Sequence, residues 1–450
     1  MGARFKPTIA VQVLHVLWVI CALSVSVELV RRAIPMYLPR DWANAHEFDA
    51  IEDWKAARAV FLGFNPYSKQ GMAAIGQPAM GHPPSTPFWY LAIAEFSKAV
   101  AVQLSTFLVW FLLPLHTYLC SKALKFPTPV LTALLAASAL FACTFVKYHC
   151  DATQFSEPIA FLYVLSWWFL RQGRDARAGI FVGAALSMKL FPGLMLVLFL
   201  VARRFRAFAA GALTYLAIAL VMTRAYGLAS WTQFFEQQGG VSAQWLGAIQ
   251  NGSLQGLVVQ LITPACVAQG KPSALASSIS LFASLLLLGL AIWLSRSRLR
   301  DARERDPRAI DLPFALFALL SVFLNPWVWN HYAVLVVQPL FVIVACFGRR
   351  FGSAFRDWCE EVSSTASLMR AGAVTGVAAL GVALTLRALS EDSQQLIDMS
   401  NLWQAYHFPA YHHLLHFLQV ENFAIWVVPL LLCFFALALG RSSPQLPSAV

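Results

Sequence analysis

The stretch Ala178-Gly-Ile-Phe-Val-Gly-Ala-Ala-Leu-Ser-Met-Lys189-Leu-Phe-Pro192-Gly-Leu-Met-Leu-Val-Leu-Phe-Leu-Val201 decides how this chain is threaded. It is long enough for one crossing of a bilayer. It also has basic residues at both ends: Arg171, Arg174 and Arg177 before it, Arg203, Arg204 and Arg206 after it. Lysine and arginine collect in the cytoplasmic loops of membrane proteins. One continuous span would leave the second cluster outside. Two half-helices turning at Lys189–Pro192 keep both clusters inside, and this broken hairpin is the preferred reading. Non-helical backbone at membrane depth is tolerated where it lines a polar cavity. A lysine within such a run costs about 2.5–3.5 kcal/mol on insertion scales. Lys189 is therefore expected to face a polar cavity or a carboxylate, with a structural ion pair or a snorkelling side chain as the alternatives.

The rest of the chain extends this picture. Of its 450 residues 59% are hydrophobic and 12% charged, and mean hydropathy is +0.62. Soluble domains carry about 25% charged residues. Apolar runs at Ile9–Val30, Val100–Cys120, Pro127–Phe145, Pro158–Leu170, Phe208–Thr223, Ala274–Leu294, Leu312–Leu324, Tyr332–Phe347, Ala371–Leu386 and Ala424–Leu439 join the hairpin. They predict an all-α polytopic bundle of about twelve transmembrane segments, forming one domain over 1–450 with both termini cytoplasmic. Ile9–Val30 reads as an uncleaved first span, since no small-residue cleavage site follows it. Arg296–Arg308, the most basic stretch, is expected to be a cytoplasmic loop. Three long outer loops follow, at 31–98, 224–273 and 390–421. The net charge of +11 reflects this basic inner side, not nucleic-acid binding. The eight cysteines show no paired metal-like spacing, although Cys150 and Cys266 fall on the oxidising side and a disulfide between them is open. The halves show no inverted-repeat pattern, which speaks against a transporter.

Long polar loops on one face are not needed to hold a helix bundle, and their asymmetry points to a site at the outer boundary of an inner membrane. The first loop is the richest. It runs Asp41-Trp-Ala-Asn-Ala-His46-Glu47-Phe-Asp49-Ala-Ile-Glu52-Asp53-Trp54, then Gly63-Phe-Asn65-Pro66-Tyr67, with a short interfacial helix expected over Phe88–Phe96. Asp49, Glu52 and Asp53 lie at helical spacings, so one face can carry all three. Such a cluster suits a general base; a solvated acidic face or a helix N-terminal turn is the plainer alternative. His331 lies among Trp327 and Trp329, as a hydrogen-bonding group or as part of an interfacial aromatic belt. His407, His412, His413 and His416 crowd the third loop. No cysteine or nearby carboxylate supports a metal there, and no metal is expected.

The string Asp49 to Ala57 followed by Gly63-x-Asn65-Pro66-Tyr67 resembles the first outer loop of glycosyltransferase family 87. Four further strings match in order: Pro83-Pro84, Lys189-Leu-Phe-Pro192, Asn251-Gly-Ser253-Leu-x-Gly256, and Asn325-Pro-Trp-Val-Trp-Asn-His331. The resemblance covers about Ile9 to Phe347. It implies a GT-C fold and transfer of a hexose, mannose foremost, from a polyprenyl-phosphate donor to a lipid or glycan acceptor on the outer face. It implies Asp49 as the catalytic base, with Asp53 and then Asp41 as rivals. Lys189, His331, Asn251 and Ser253 become donor phosphate or sugar ligands, and Asn65, Pro66, Tyr67, Pro83 and Pro84 shape the loops. In-line attack would invert the anomeric centre. No cofactor is expected; membrane lipids, the lipid-linked donor and a glycan or glycolipid acceptor are the partners. His82 replaces the usual aromatic residue, Trp54 replaces a tyrosine, and Thr153-Gln154-Phe-Ser156 stands for a Gly-Gln-x-Asn turn. These departures leave the sugar open. A lipid-linked glycan ligase, or a lipid or sugar transporter or flippase, is the alternative.

Overall fold

The computed structural model describes residues 16, 19–31, 49–77, 80–126, 128–143, 146, 150, 154–246, 251–262, 273–360 and 423–442. Every element among them is helical. After α1 (19–31) come α2 (Asp49–Leu62), α3 (Lys69–Ile75) and a 3-10 helix over Thr86–Ile93. Then follow α4 (Lys98–Ala123), α5 (Pro129–Phe141), α6 (Ser156–Arg171), α7 (Asp175–Met188) and α8 (Gly193–Val201). Next are α9 (Phe205–Tyr226), α10 (Ala229–Trp245), α11 (Leu254–Ile262), α12 (Ala274–Glu304) and α13 (Asp311–Phe323). A 3-10 helix over Asn330–Val336, α14 (Val337–Glu360) and α15 (Val428–Ser442) end the described chain.

Among the described residues four segments are long and apolar enough to cross a bilayer: Lys98–Ala123, Phe205–Tyr226, Ala274–Glu304 and His331–Arg349; Pro129–Phe141 and Ile425–Leu439 are shorter apolar helices. Leu213, Leu216 and Leu220 on α9, and Leu281, Phe282 and Leu285 on α12, are exposed. Apolar faces of that extent are solvated by lipid. This is an all-helical membrane protein. The twelve-span expectation is met only to that extent. Ile9–Val30 is described at 16 and 19–30 alone, and Ala371–Leu386, the third loop and Cys266 lie outside the described residues. Arg296–Arg308 is mostly not a loop: α12 runs through it to Glu304 before a 3-10 turn over Pro307–Ile310. Its arginines, alanine and leucine are good helix formers, so the helix continues past its apolar part. The expected Phe88–Phe96 helix begins earlier and is 3-10, with Pro87 at its start.

The centre of the bundle is α13, buried at every residue from Asp311 to Phe323. From Leu312 to Leu320 its sequence is apolar all round, as a helix enclosed on every side requires.

The broken hairpin is present. α7 ends at Met188, Lys189 adopts an extended conformation, and α8 starts at Gly193. Arg204, just beyond α8, donates to Asp175 at the start of α7 at 3.2 Å and to the carbonyl of Ala302 in the basic stretch. Both ends of the hairpin therefore meet at the same end of the bundle. Nearby, Arg171 pairs with Asp311 at 3.1 Å, while Trp167 donates to the same carboxylate at 2.8 Å.

α7 and α9 make backbone contact through glycine. A Cβ on Gly179 would stand 2.0 Å from Ala207 O, and one on Gly183 would stand 2.3 Å from Gly211 O. Small residues spaced by four give helices in lipid their close packing. Gly179→Val must push the helices apart. Its expected cost is about 1–3 kcal/mol, the range for overpacking, seen as a lower melting temperature in detergent; an unchanged melting temperature would contradict this packing.

Candidate functional site

The α2 helix starts at Asp49 and presents two apolar faces. Ile51, Trp54 and Ala57 join the main core, and Trp54 Nε1 donates to Ile93 O at 3.1 Å. Ala56 and Ala59 join a second cluster with Tyr67, Met72, Met80, Tyr226 and Phe234. Tyr226 OH donates to Ala56 O at 2.6 Å. Asp53 is fully buried, and His82 Nδ1 donates to its Oδ2 at 2.7 Å. Asp49, one helical turn earlier, shares that flank of α2 by its spacing; its side chain and the whole of Asp41 lie outside the described residues.

The loop beyond α2 is fixed by its own polar groups. Gly63 has φ +74°, a left-handed conformation that suits glycine after a helix. Asn65 Oδ1 accepts from Tyr67 N at 2.9 Å, and its Nδ2 donates to Gln233 Oε1 at 2.8 Å. Pro66 is buried beside Tyr67. Tyr67 OH donates to His82 O at 3.1 Å. Burial pushes the Tyr67 phenol well above its ordinary value, with Tyr226, Asp53 and Glu52 adding to the effect. It therefore works as a neutral donor. Gln237 donates to Tyr67 O and accepts from Met80 N, and Gln238 donates to the carbonyls of Met80 and Gly81. Helix α10 thus grips the segment that follows α2. Pro83 O accepts from Thr86 N, and Pro84 is buried.

The 3-10 helix carries this loop to the hairpin. Thr86 Oγ1 donates to Met188 O at 2.8 Å, and Trp89 Nε1 donates to Ser187 Oγ at 2.9 Å. The next residue, Lys189, is 5% exposed. Its Nζ donates to Gln154 Oε1 at 3.0 Å and to Tyr332 OH at 2.9 Å. Both partners are neutral, and among the described residues no carboxylate pairs with it. A buried cation held only by dipoles is left with uncompensated charge, which is the arrangement an anion would complete. A structural ion pair is thereby set aside for the described residues, and so is snorkelling.

His331 is 3% exposed, its ring centroid 4.5 Å from that of Tyr332. The turn before it is held by residues 251–253. Asn251 Nδ2 donates to Pro326 O at 2.8 Å, and its Oδ1 accepts from Val328 N at 3.0 Å. Ser253 Oγ donates to Pro326 O at 2.9 Å and accepts from Gly256 N at 2.8 Å. A Cβ on Gly256 would lie 2.8 Å from the Asn251 amide, so this string packs as one piece. Asn251 and Ser253 direct their polar atoms at the turn that positions His331, which gives them a supporting place.

Lys189, Gln154, Tyr332 and His331 therefore gather at the helix break, with Asn251 and Ser253 behind them and the Thr86 end of the first loop docked on it. Sequence reasoning did not foresee Tyr332, or Gln154 as a partner of Lys189, or the glutamines of α10. Tyr332 stands beside a motif histidine and Gln154 within a departing motif string, and those positions were the available signals. Residues 82–326 match the sequence model of glycosyltransferase family 87. No curated protein and no solved structure matches the chain.

Proposed function

The chain belongs to glycosyltransferase family 87, and from that premise we propose that it moves a hexose, mannose in the first instance, from a polyprenyl-phosphate donor to a lipid or glycan acceptor at the outer face of the inner membrane. We infer a GT-C-type bundle of about twelve spans, with its long loops gathered over the site. An acceptor hydroxyl attacks the anomeric carbon, and its proton passes to Asp49. The bond from that carbon to the phosphate oxygen breaks in line, and the electron pair leaves with the lipid phosphate. Inversion follows, so a β-linked donor gives an α-linked product. Lys189 offsets the charge that grows on the phosphate, while His331 bonds a phosphate oxygen or a sugar hydroxyl.

The observation that carries this reading is Lys189: a buried cation at a helix break, bonded only to Gln154 and Tyr332 among the described residues, beside the docked 3-10 helix over Thr86–Ile93. Asp53 is less suited to be the base, because it is fully enclosed and already accepts from His82. The test is turnover by the purified protein with a panel of polyprenyl-phosphate sugars against nucleotide sugars. Transfer from one or more lipid-linked donors is expected. Transfer from nucleotide sugars alone would contradict the donor class.

A further inference from the structure

Asp53 and His82 form a buried acid–imidazole pair between positions 29 residues apart. Their side chains are 1% and 10% exposed. A carboxylate taken out of water is destabilising unless it is paired and hydrogen-bonded, so apolar packing alone does not account for the pair. Its place in the fold does. On one side, His82 is bonded to α2, one turn from Asp49. On the other, the chain runs through Pro83 and Pro84 to Thr86, whose hydroxyl holds the carbonyl of Met188 next to Lys189. The stretch between has little freedom. Tyr67 OH holds His82 O, Gln238 holds the carbonyls of Met80 and Gly81, and proline fixes φ at two consecutive residues.

We propose that the Asp53–His82 pair is a strut that sets the separation between the acid end of α2 and the Lys189 ammonium, which makes both residues positioning residues for sugar transfer. This rests on Asp49 and Lys189 being the base and the phosphate ligand. The bond requires a donor at the place of Nδ1. An asparagine amide reaches that place; a phenylalanine fills the ring volume without a donor. The strut therefore separates two variants that a packing role would rank the other way.

The experiment measures turnover and donor KM for His82→Phe, His82→Asn and Asp53→Asn, with melting temperatures alongside. His82→Phe is expected to lose about 10- to 100-fold in kcat at unchanged donor KM, since an ångström of misplacement costs up to about 100-fold. His82→Asn should recover most of that loss, and Asp53→Asn should fall between them. Wild-type kcat in the folded fraction of His82→Phe would overturn the strut. So would a His82→Asn no faster than His82→Phe. If His82→Phe does not accumulate, His82→Asn must still turn over faster than Asp53→Asn, and the reverse order overturns the proposal. Asp49→Asn and Lys189→Met are measured in parallel. Full activity in either removes the underlying site assignment whatever the strut variants do, whereas a slow Asp49→Asn beside a wild-type His82→Phe removes the strut alone.

Discussion

Asp49→Asn is expected to lower turnover at saturating donor by about 10²–10⁴-fold, the usual contribution of general acid–base catalysis. Folding should be little affected. Asp49 opens α2, and asparagine is as good as aspartate at a helix start. Saturating donor matters, because it keeps a binding defect from passing as lost chemistry. Asp53→Asn is the comparison. Its carboxylate is fully buried and accepts from His82, which keeps it from meeting an acceptor hydroxyl directly. It should lose about tenfold or less, through geometry. A dead Asp53→Asn beside an active Asp49→Asn would move the base to Asp53. Full activity in both would take the acid cluster out of the mechanism.

Lys189→Met should separate function from stability in the opposite sense to most core substitutions. Methionine has a similar length and no charge to bury. The variant leaves Gln154 and Tyr332 without their donor, a loss of about 1–3 kcal/mol, but it also relieves the burial of an uncompensated cation. The two effects oppose each other, so the melting temperature should stay close to wild type. Activity should not: kcat/KM is expected to fall by about 10²–10³, the range for removing one group that stabilises developing negative charge. A variant that melts far below wild type yet turns over normally when folded would make Lys189 a structural residue.

The hairpin was legible in the sequence because two independent signals agreed, the arginines on both flanks and Pro192 in the middle. The family strings likewise imply donor contacts for Lys189, Asn251 and His331, and the structure sets residues 251–256 against the turn that precedes His331. What the sequence could not supply was partnership. Gly179, Gly183 and Gly211 read as ordinary small residues until α7 is laid against α9. His82 registered only as a departure from the family string, since its partner Asp53 lies 29 residues away and the intervening loop must fold back to join them. The family string offers Asn251 and Ser253 as ligands, with packing as the other reading of Asn251. Their fixed turn partners become visible only when residues 251–256 and 326–328 are side by side. Charge alone makes Arg296–Arg308 look like a loop, although charge reports the side of the membrane and helix propensity reports the backbone.

The most direct test of the central claim is the anomeric configuration of the product made by purified wild-type protein from a β-linked polyprenyl-phosphate mannose. Direct displacement assisted by a single base gives an α-linked product, with free polyprenyl phosphate released in equal amount. A β-linked product would require two displacements through a covalent intermediate and would contradict the account of Asp49 as a base.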